Sequence, residues 1–415
     1  MENFYDFIII GAGPAGLTAA IIAKRLGFNV IVLEKGNKPG PLPRGETIHH
    51  YPILDEILGK GFIKSISTHE TPERLFHSPK NKYQSLIRVP ETSYIFDWRD
   101  FIERFIEVLK ELDVKINCNC KVVSPIEENN YCIGVNYFNG DKEYKIYGGV
   151  ILACDGFDSA IGKYYNIDYS KINNPTIKCL IKNANIDIRE HSALELFLVA
   201  NGELEYAPNF PPCALFMFPH GEKDVELGLM IFSVVANELE DVGIPDEKEI
   251  WRVWNEIKKS YPGFSEFFKG CSIEYEGYTA IPSANFVKKY IPKPGIVLIG
   301  DSAGFVEASG SSGLHSSMAM AKFWTELIGK QLLNLKKDSI NDYKAEIKKQ
   351  LWSDENIKLL KKTFQKTEIY RHIITTYKVF NSFIKTIFKH MRAADKINEN
   401  WEKLISLLSK AKAGN

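Results

Sequence analysis

The sequence lacks the markers of several large protein classes, and each absence narrows what the chain does. Its seven cysteines, Cys118, Cys120, Cys132, Cys154, Cys179, Cys213 and Cys271, form no CxxC pair and no His cluster lies near Cys118 and Cys120, so zinc spacing is missing and no metal is expected. Their odd number also argues against a full disulfide framework and for thiols kept in a reducing cytoplasm. No uninterrupted apolar run approaches the roughly 20 residues of a membrane-spanning helix. The apolar stretch Phe7–Ile10 enters glycines with no basic segment before it, so a secretory signal is not expected and a cytoplasmic location is. Net charge is zero, and no nucleic-acid partner is expected.

What is present is an ordinary globular composition, 45% hydrophobic and 25% charged. A chain of 415 residues exceeds one small core and implies two or three domains. The zero net charge hides an asymmetry: residues 336–415 hold 18 Lys and Arg against 9 Asp and Glu, so a basic C-terminal segment follows an acidic body.

The most specific signal is at the start. Asp6–Ile10 reads as a buried strand, followed by Gly11-Ala-Gly-Pro-Ala-Gly16, a helix-forming run Leu17–Leu26, and a second strand Asn29–Leu33 ending in Glu34. Gly11 permits the tight turn, Gly13 lets backbone approach a pyrophosphate, and Gly16 allows helix and strand to pack closely. The first helical residues, Ala15 among them, offer unpaired N–H groups and the positive end of a dipole to phosphates. Glu34 follows Gly16 by 18 residues, where an acid accepts hydrogen bonds from ribose hydroxyls. This is a dinucleotide site, and NAD and FAD both remain open on these residues alone.

A second buried strand, Gly295-Ile-Val-Leu-Ile-Gly-Asp301, turns into small residues, and Val150-Ile-Leu-Ala-Cys-Asp155-Gly156 precedes it. With these, the chain resembles the FAD-dependent group that shares the para-hydroxybenzoate hydroxylase fold and includes geranylgeranyl reductases, flavin-dependent halogenases and aromatic hydroxylases. The resemblance implies that Asp301 binds a ribityl hydroxyl of FAD and that Asp155 closes the nucleotide domain. It implies that Val122, in a small hairpin with Asn139-Gly140, contacts adenine through its backbone. Arg99, opening a helix Asp100–Leu112, takes the place of a flavin-contacting arginine. Pro43-Arg44-Gly45 takes the place of the chain that borders the isoalloxazine ring, and Gly313 and Leu314 that of its pyrimidine-edge contacts. No second GxGxxG exists, so NAD(P)H or a reduced electron carrier is expected as an external donor.

The substrate side is read from two segments. In Cys213-Ala-Leu-Phe-Met-Phe-Pro219 the chain keeps the Phe-Pro ending of geranylgeranyl reductases but has Ala214 and Phe216 for their Tyr and Trp. Phe216, Phe218 and Pro219 therefore suggest an apolar pocket, although alternating strand core is the simpler reading of the two rings. The loop Ser311-Ser-Gly-Leu-His315 is spelled more like a halogenase's, and Ala308 stands where both relatives carry proline. His315 joins the expected pocket, and His49, His50 and His315 are the candidates for proton delivery, with no catalytic residue assigned. Lys80 and Lys82, beside Pro79 and Asn81, read as an exposed turn.

The expected fold is a doubly wound, Rossmann-like α/β FAD-binding domain (1–66, 97–165 and 290–335) interleaved with a β-rich substrate domain (67–96 and 166–289), plus C-terminal helices (336–415). Within these, residues 371–392 form a helix with Ile373, Tyr377, Phe380, Ile384, Ile387 and Met391 on one face and five basic residues opposite. Such a helix either packs on the body or lies peripherally on an anionic membrane. The expected activity is FAD-dependent reduction of isoprenoid C=C bonds in a hydrophobic or lipid substrate. The alternative is a monooxygenase or halogenase working through a C4a-hydroperoxide.

Overall fold

The computed structural model describes residues 4–40, 44–184, 186–187, 191–239, 242–308, 312–335 and 339–412, with side chains to 409. Two expected site residues, Pro43 and Ser311, lie outside the described residues.

The apolar runs found in the sequence become the centre of the first sheet. β1 (Phe4–Ile10) pairs in parallel with β2 (Val30–Leu33) on one side and with β9 (Lys142–Ala153) on the other. β2 continues to β6 (Ile116–Asn117). The long β9 serves two neighbours in turn. Its first half pairs antiparallel with β8 (Tyr131–Asn139), itself paired with β7 (Cys120–Glu128), and its last residues pair in parallel with β15 (Ile296–Leu298). Residues 148–153 are all buried, as a parallel strand covered on both faces requires.

Helix α1 (Pro14–Arg25) is buried from Ala15 to Ala23 and packs against α8 (Leu314–Leu333) and α4 (Trp98–Glu111). Short α2 (Pro52–Leu58) and α3 (Phe62–Ile66) lean on α4, and α5 (Ala160–Tyr164) leans on β7. Asp97 starts α4 by accepting the Arg99 N–H at 2.8 Å, an N-cap that fixes where strand becomes helix.

The second sheet has eight strands in the order β14-β10-β13-β12-β11-β4-β5-β3. They are β3 (Gly45–His49), β4 (Ser67–His77), β5 (Gln84–Asp97), β10 (Asn174–Lys182), β11 (Leu194–Val199), β12 (Cys213–Pro219), β13 (Val225–Ile231) and β14 (Ser272–Ile281). All neighbours are antiparallel except β11 and β4. β3 falls in a segment expected to serve the cofactor domain. It is hydrogen-bonded to β5 at this sheet's edge, while its Ile48 still packs in the first core.

Strand alternation gives this sheet two distinct faces. Ile177, Cys179, Leu215, Leu227 and Leu229 form one core with Trp254 of α7 (Glu247–Ser260). Lys178, Phe216, Phe218, Glu226 and Met230 have the opposite parity and point away from it. The short α6 (Ser233–Ala236) follows β13.

Beyond α8 the chain is helical: α9 (Ile340–Glu346), α10 (Asp354–Gln365), α11 (Glu368–His390), α12 (Ala394–Glu399) and α13 (Trp401–Lys412). The apolar stripe of α11 is consumed inside the protein. Ile373 and Tyr377 join the first core, and Ile384, Ile387 and Phe388 join a cluster with Phe232 and Trp401. Each such side chain stabilises the fold by about 1.5–3 kcal/mol. The helix therefore laces the two sheets' cores together, and Arg371, Lys378 and Lys389 remain on its exposed side. Among the described residues no helix is long and apolar enough to cross a membrane.

Candidate active site

The glycine turn between β1 and α1 has the geometry its spacing demands. Gly11 has φ 92°, and a Cβ there would lie 2.4 Å from the Cys154 carbonyl oxygen. At Gly16 a Cβ would come within 2.0 Å of the Gly11 carbonyl oxygen, so any other residue pushes α1 off the turn. Gly13 is different: nothing lies within 4 Å of its Cβ position, which leaves an open cradle at the helix start. Glu34 closes this end, accepting N–H bonds from Ala12 at 2.8 Å and Gly36 at 2.7 Å. Cys120 N–H donates to the Glu34 carbonyl at 2.8 Å, which holds the hairpin strand carrying buried Val122 beside the acid.

Asp155 follows β9, and one of its carboxylate oxygens accepts the Ile161 N–H at 3.3 Å. Its Oδ1 is buried without a partner, and burial pushes its carboxyl above the ordinary value. Asp301 sits on the turn after β15. Gly300 before it has φ 68°, and a Cβ there would meet Ser317 of α8 at 2.8 Å and Ala15 of α1 at 3.4 Å. Asp301 thus follows a glycine wedged between these two helices. Its Oδ1 lies 3.4 Å from the Cβ position of Gly313. Burial pushes the Asp301 carboxyl up to about 6, with Arg44 pulling it down and Glu46 pushing it up. Gly313 N-caps α8 without a side-chain bond, so the first N–H groups around Leu314 keep their capacity for another acceptor.

Residues 44–51 run along the junction of the two sheets. The Arg44 guanidinium stacks 4.0 Å over the Trp98 ring and lies 3.5 Å from Glu46, while its buried Nε has no partner among the described residues. Gly45 packs so tightly that a Cβ would fall 2.7 Å from His220 and 2.8 Å from Glu226. Lys178 bridges Glu46 at 3.4 Å and Glu226 at 3.2 Å. Burial works against charge on Glu46, but Lys178, Arg44 and the Thr47 N–H together hold it below the ordinary value. At the far end Tyr51 stacks on His315, ring centroids 3.6 Å apart. Burial, with His372 adding to it, pulls the His315 imidazole down to about 4, so it is neutral near pH 7.

The expected pocket residues divide between two walls. Phe216 and Phe218 stack at 5.0 Å on the sheet face turned away from α7. Gly228, opposite Phe216, makes room for that ring: a Cβ there would lie 2.0 Å from Phe216 Cζ. Pro219 ends the same strand opposite Val225, and His315 belongs to the helix wall. Arg99 is engaged elsewhere, its guanidinium pairing with Asp97 at 2.5 Å and Glu274 at 3.3 Å on the exposed surface. Lys80 and Lys82 are exposed in the turn at Pro79–Asn81, His50 pairs with Asp55, and His49 meets the Thr92 carbonyl.

The profile of the FAD binding domain family matches residues 5–346, spanning both sheets. The chain belongs to that family. This FAD-binding protein is 26% identical over 328 residues to digeranylgeranylglycerophospholipid reductase 1 of Methanococcoides burtonii, covering 77% of this chain and 72% of the relative. It is 24% identical to the digeranylgeranylglycerophospholipid reductase of Picrophilus torridus over 84% of each chain. Among solved structures, a geranylgeranyl bacteriochlorophyll reductase-like protein of Thermoplasma acidophilum superposes with TM-score 0.74 at 19% identity, covering 99% of this chain and 92% of that one. The myxobacterial chondrochloren halogenase superposes with TM-score 0.61 at 16% identity, over 98% and 91%. At these identities the superpositions establish the fold. An FAD-dependent oxidoreductase fits the site's open cradle at Gly13, the orphaned Asp155 oxygen and the uncapped α8.

Four residues of this site went unnoticed in the sequence: Glu46, Lys178, His220 and Glu226. Only one signal was available for two of them, a charged residue interrupting an apolar strand in Asn174–Lys182 and in Val225–Ile231. Alternation places Lys178 and Glu226 on one face but does not say which face adjoins the cofactor.

Proposed function

We propose that this protein reduces isoprenoid C=C bonds of a geranylgeranyl-bearing lipid. The observation that carries the reading is the similarity to digeranylgeranylglycerophospholipid reductases across both sheets, over 77–84% of the chain. The apolar Phe216–Phe218 pair, on the sheet face that carries Glu226 beside Gly45, supports it. When bound, FAD supplies hydride chemistry, and the chain's residues bind and orient it. In this reading the Gly11–Gly16 turn and Ala15 take the pyrophosphate, Glu34 the adenosine ribose, and the Val122 backbone the adenine. Asp155 and Asp301 take hydroxyls further along. Arg44, Gly45, Gly313 and Leu314 border the ring system, and Arg99 joins them when it leaves Asp97 and Glu274. NAD(P)H or a reduced carrier protein delivers electrons from outside. Contact with a membrane surface, where the lipid resides, would fall to the basic side of α11, since its apolar side is buried.

The test is stopped-flow reoxidation of the chemically reduced flavoprotein. Digeranylgeranylglycerophospholipid should reoxidise it without oxygen. Reoxidation that needs oxygen, and that the lipid leaves unchanged, would sink the reductase reading in favour of an oxygenase.

A further inference from the structure

Saturating a C=C bond adds a hydride to one carbon and a proton to the other, and a donor in an apolar pocket has to stay neutral until it is used. Glu226 is a buried carboxyl on the same sheet face as the aromatic pair Phe216 and Phe218. It is 1% exposed, and among the described residues its one close cation is the Lys178 ammonium, with no backbone N–H or hydroxyl donating to either oxygen. A buried carboxylate with a purely structural role normally collects N–H or O–H donors. The Lys178 ammonium lies 3.2 Å from its Oε1. Its cross-strand partner is Phe218, so it shares the face of the aromatic wall, and its Oε2 abuts Gly45, beside the expected flavin ring.

We propose that Glu226 is the acid that protonates the substrate, with Lys178 holding the carboxylate left behind. The proposal rests on the reductase reading. Bound FAD, once reduced, would supply the hydride that forms a C–H bond at one alkene carbon. The π pair moves to the second carbon, which takes the Glu226 proton as the O–H bond breaks. The O–H electron pair stays on the carboxylate beside Lys178, and water restores the proton between turnovers. The charged and titratable groups facing Glu226 are Lys178 on β10, Glu46 and Arg44 around β3, Tyr275 on β14 and His220 beyond β12. Burial holds Glu226 above the ordinary carboxyl value, against Lys178 and with Glu46. His220, its Nε2 also unpartnered, is pulled down by burial and is a poor alternative donor.

The experiment compares wild type with Glu226→Gln, which keeps the side chain's shape. Infrared spectroscopy of the flavin-free protein, titrated upward in pH, should show a protonated-carboxyl C=O band that persists above the ordinary carboxyl range and that the variant lacks. In single turnovers of digeranylgeranylglycerophospholipid the variant should be slower by on the order of 100-fold or more at unchanged flavin content. A band unchanged by the substitution, or wild-type turnover in the variant, overturns the proposal and leaves the reductase reading standing. If wild type itself reduces no isoprenoid lipid, that reading fails and the proposal falls with it. Should Glu226→Gln not fold, the wild-type pH profile decides: turnover falls as pH rises through the raised Glu226 value, and a flat profile overturns the assignment.

Discussion

Replacing Asp301 with asparagine separates what the site does for the fold from what it does for the cofactor. Burial moves this carboxyl from 3.8 to about 6 in the folded protein. Such a gap corresponds to about 3 kcal/mol against the ionised form, and partial solvent access reduces it to roughly 1.5 kcal/mol. The folded value is raised, so the stability linked to this group is present below pH 4 and lost as pH rises through about 6. Flavin-free Asp301→Asn should accordingly be more stable than wild type by roughly 1.5 kcal/mol at pH 8, with the difference vanishing near pH 4. The cofactor should respond oppositely. A hydrogen bond to a charged acceptor contributes about 1.5–3 kcal/mol, so FAD affinity should drop about 10- to 100-fold. Urea denaturation of the flavin-free proteins at both pH values, with flavin-fluorescence titrations, measures the two effects. A variant that is less stable at pH 8 yet binds FAD as wild type does would refute the reasoning, because Asp301 would then be a structural carboxylate.

Three further outcomes follow from the same geometry. Gly16→Ala places a methyl 2.0 Å from the Gly11 carbonyl oxygen, so the protein should lose about 1–3 kcal/mol in denaturant melts and purify with little flavin. Tyr377→Phe removes a hydroxyl that accepts the Val306 N–H at 3.3 Å and donates towards the Pro282 and Gly304 carbonyls. It should cost about 1–3 kcal/mol and speed proteolysis at Gly304–Val306, because α11 loses its tie to that segment. Arg99→Ala removes a partly exposed guanidinium from its pairs with Asp97 and Glu274, so stability should change by about 1 kcal/mol or less while FAD affinity falls; unchanged affinity would confine Arg99 to those pairs.

The parts that were legible in the sequence are those whose geometry is set by residues close in the chain. Gly16 and Glu34 act through close approaches within the one βαβ unit, and Gly11 through its positive φ there, so spacing alone locates them. The buried strands at 150–153 and 296–298, the Asp97-capped helix and the C-terminal helices are local in the same sense. Tertiary structure decided the rest. Whether the stripe of α11 met lipid or protein depended on two distant cores both offering apolar surface, which periodicity does not encode. β3 joined the second sheet because β5, some 40 residues later, offered its edge. The Arg44–Glu46–Lys178–Glu226 cluster draws on strands more than 100 residues apart, brought together by sheet order and register. Sequence thus pointed to FAD, because the motifs expected to hold it are short and local. The fold decided which charged side chains gather beside Gly45, because only strand pairing sets which side chains share a buried face.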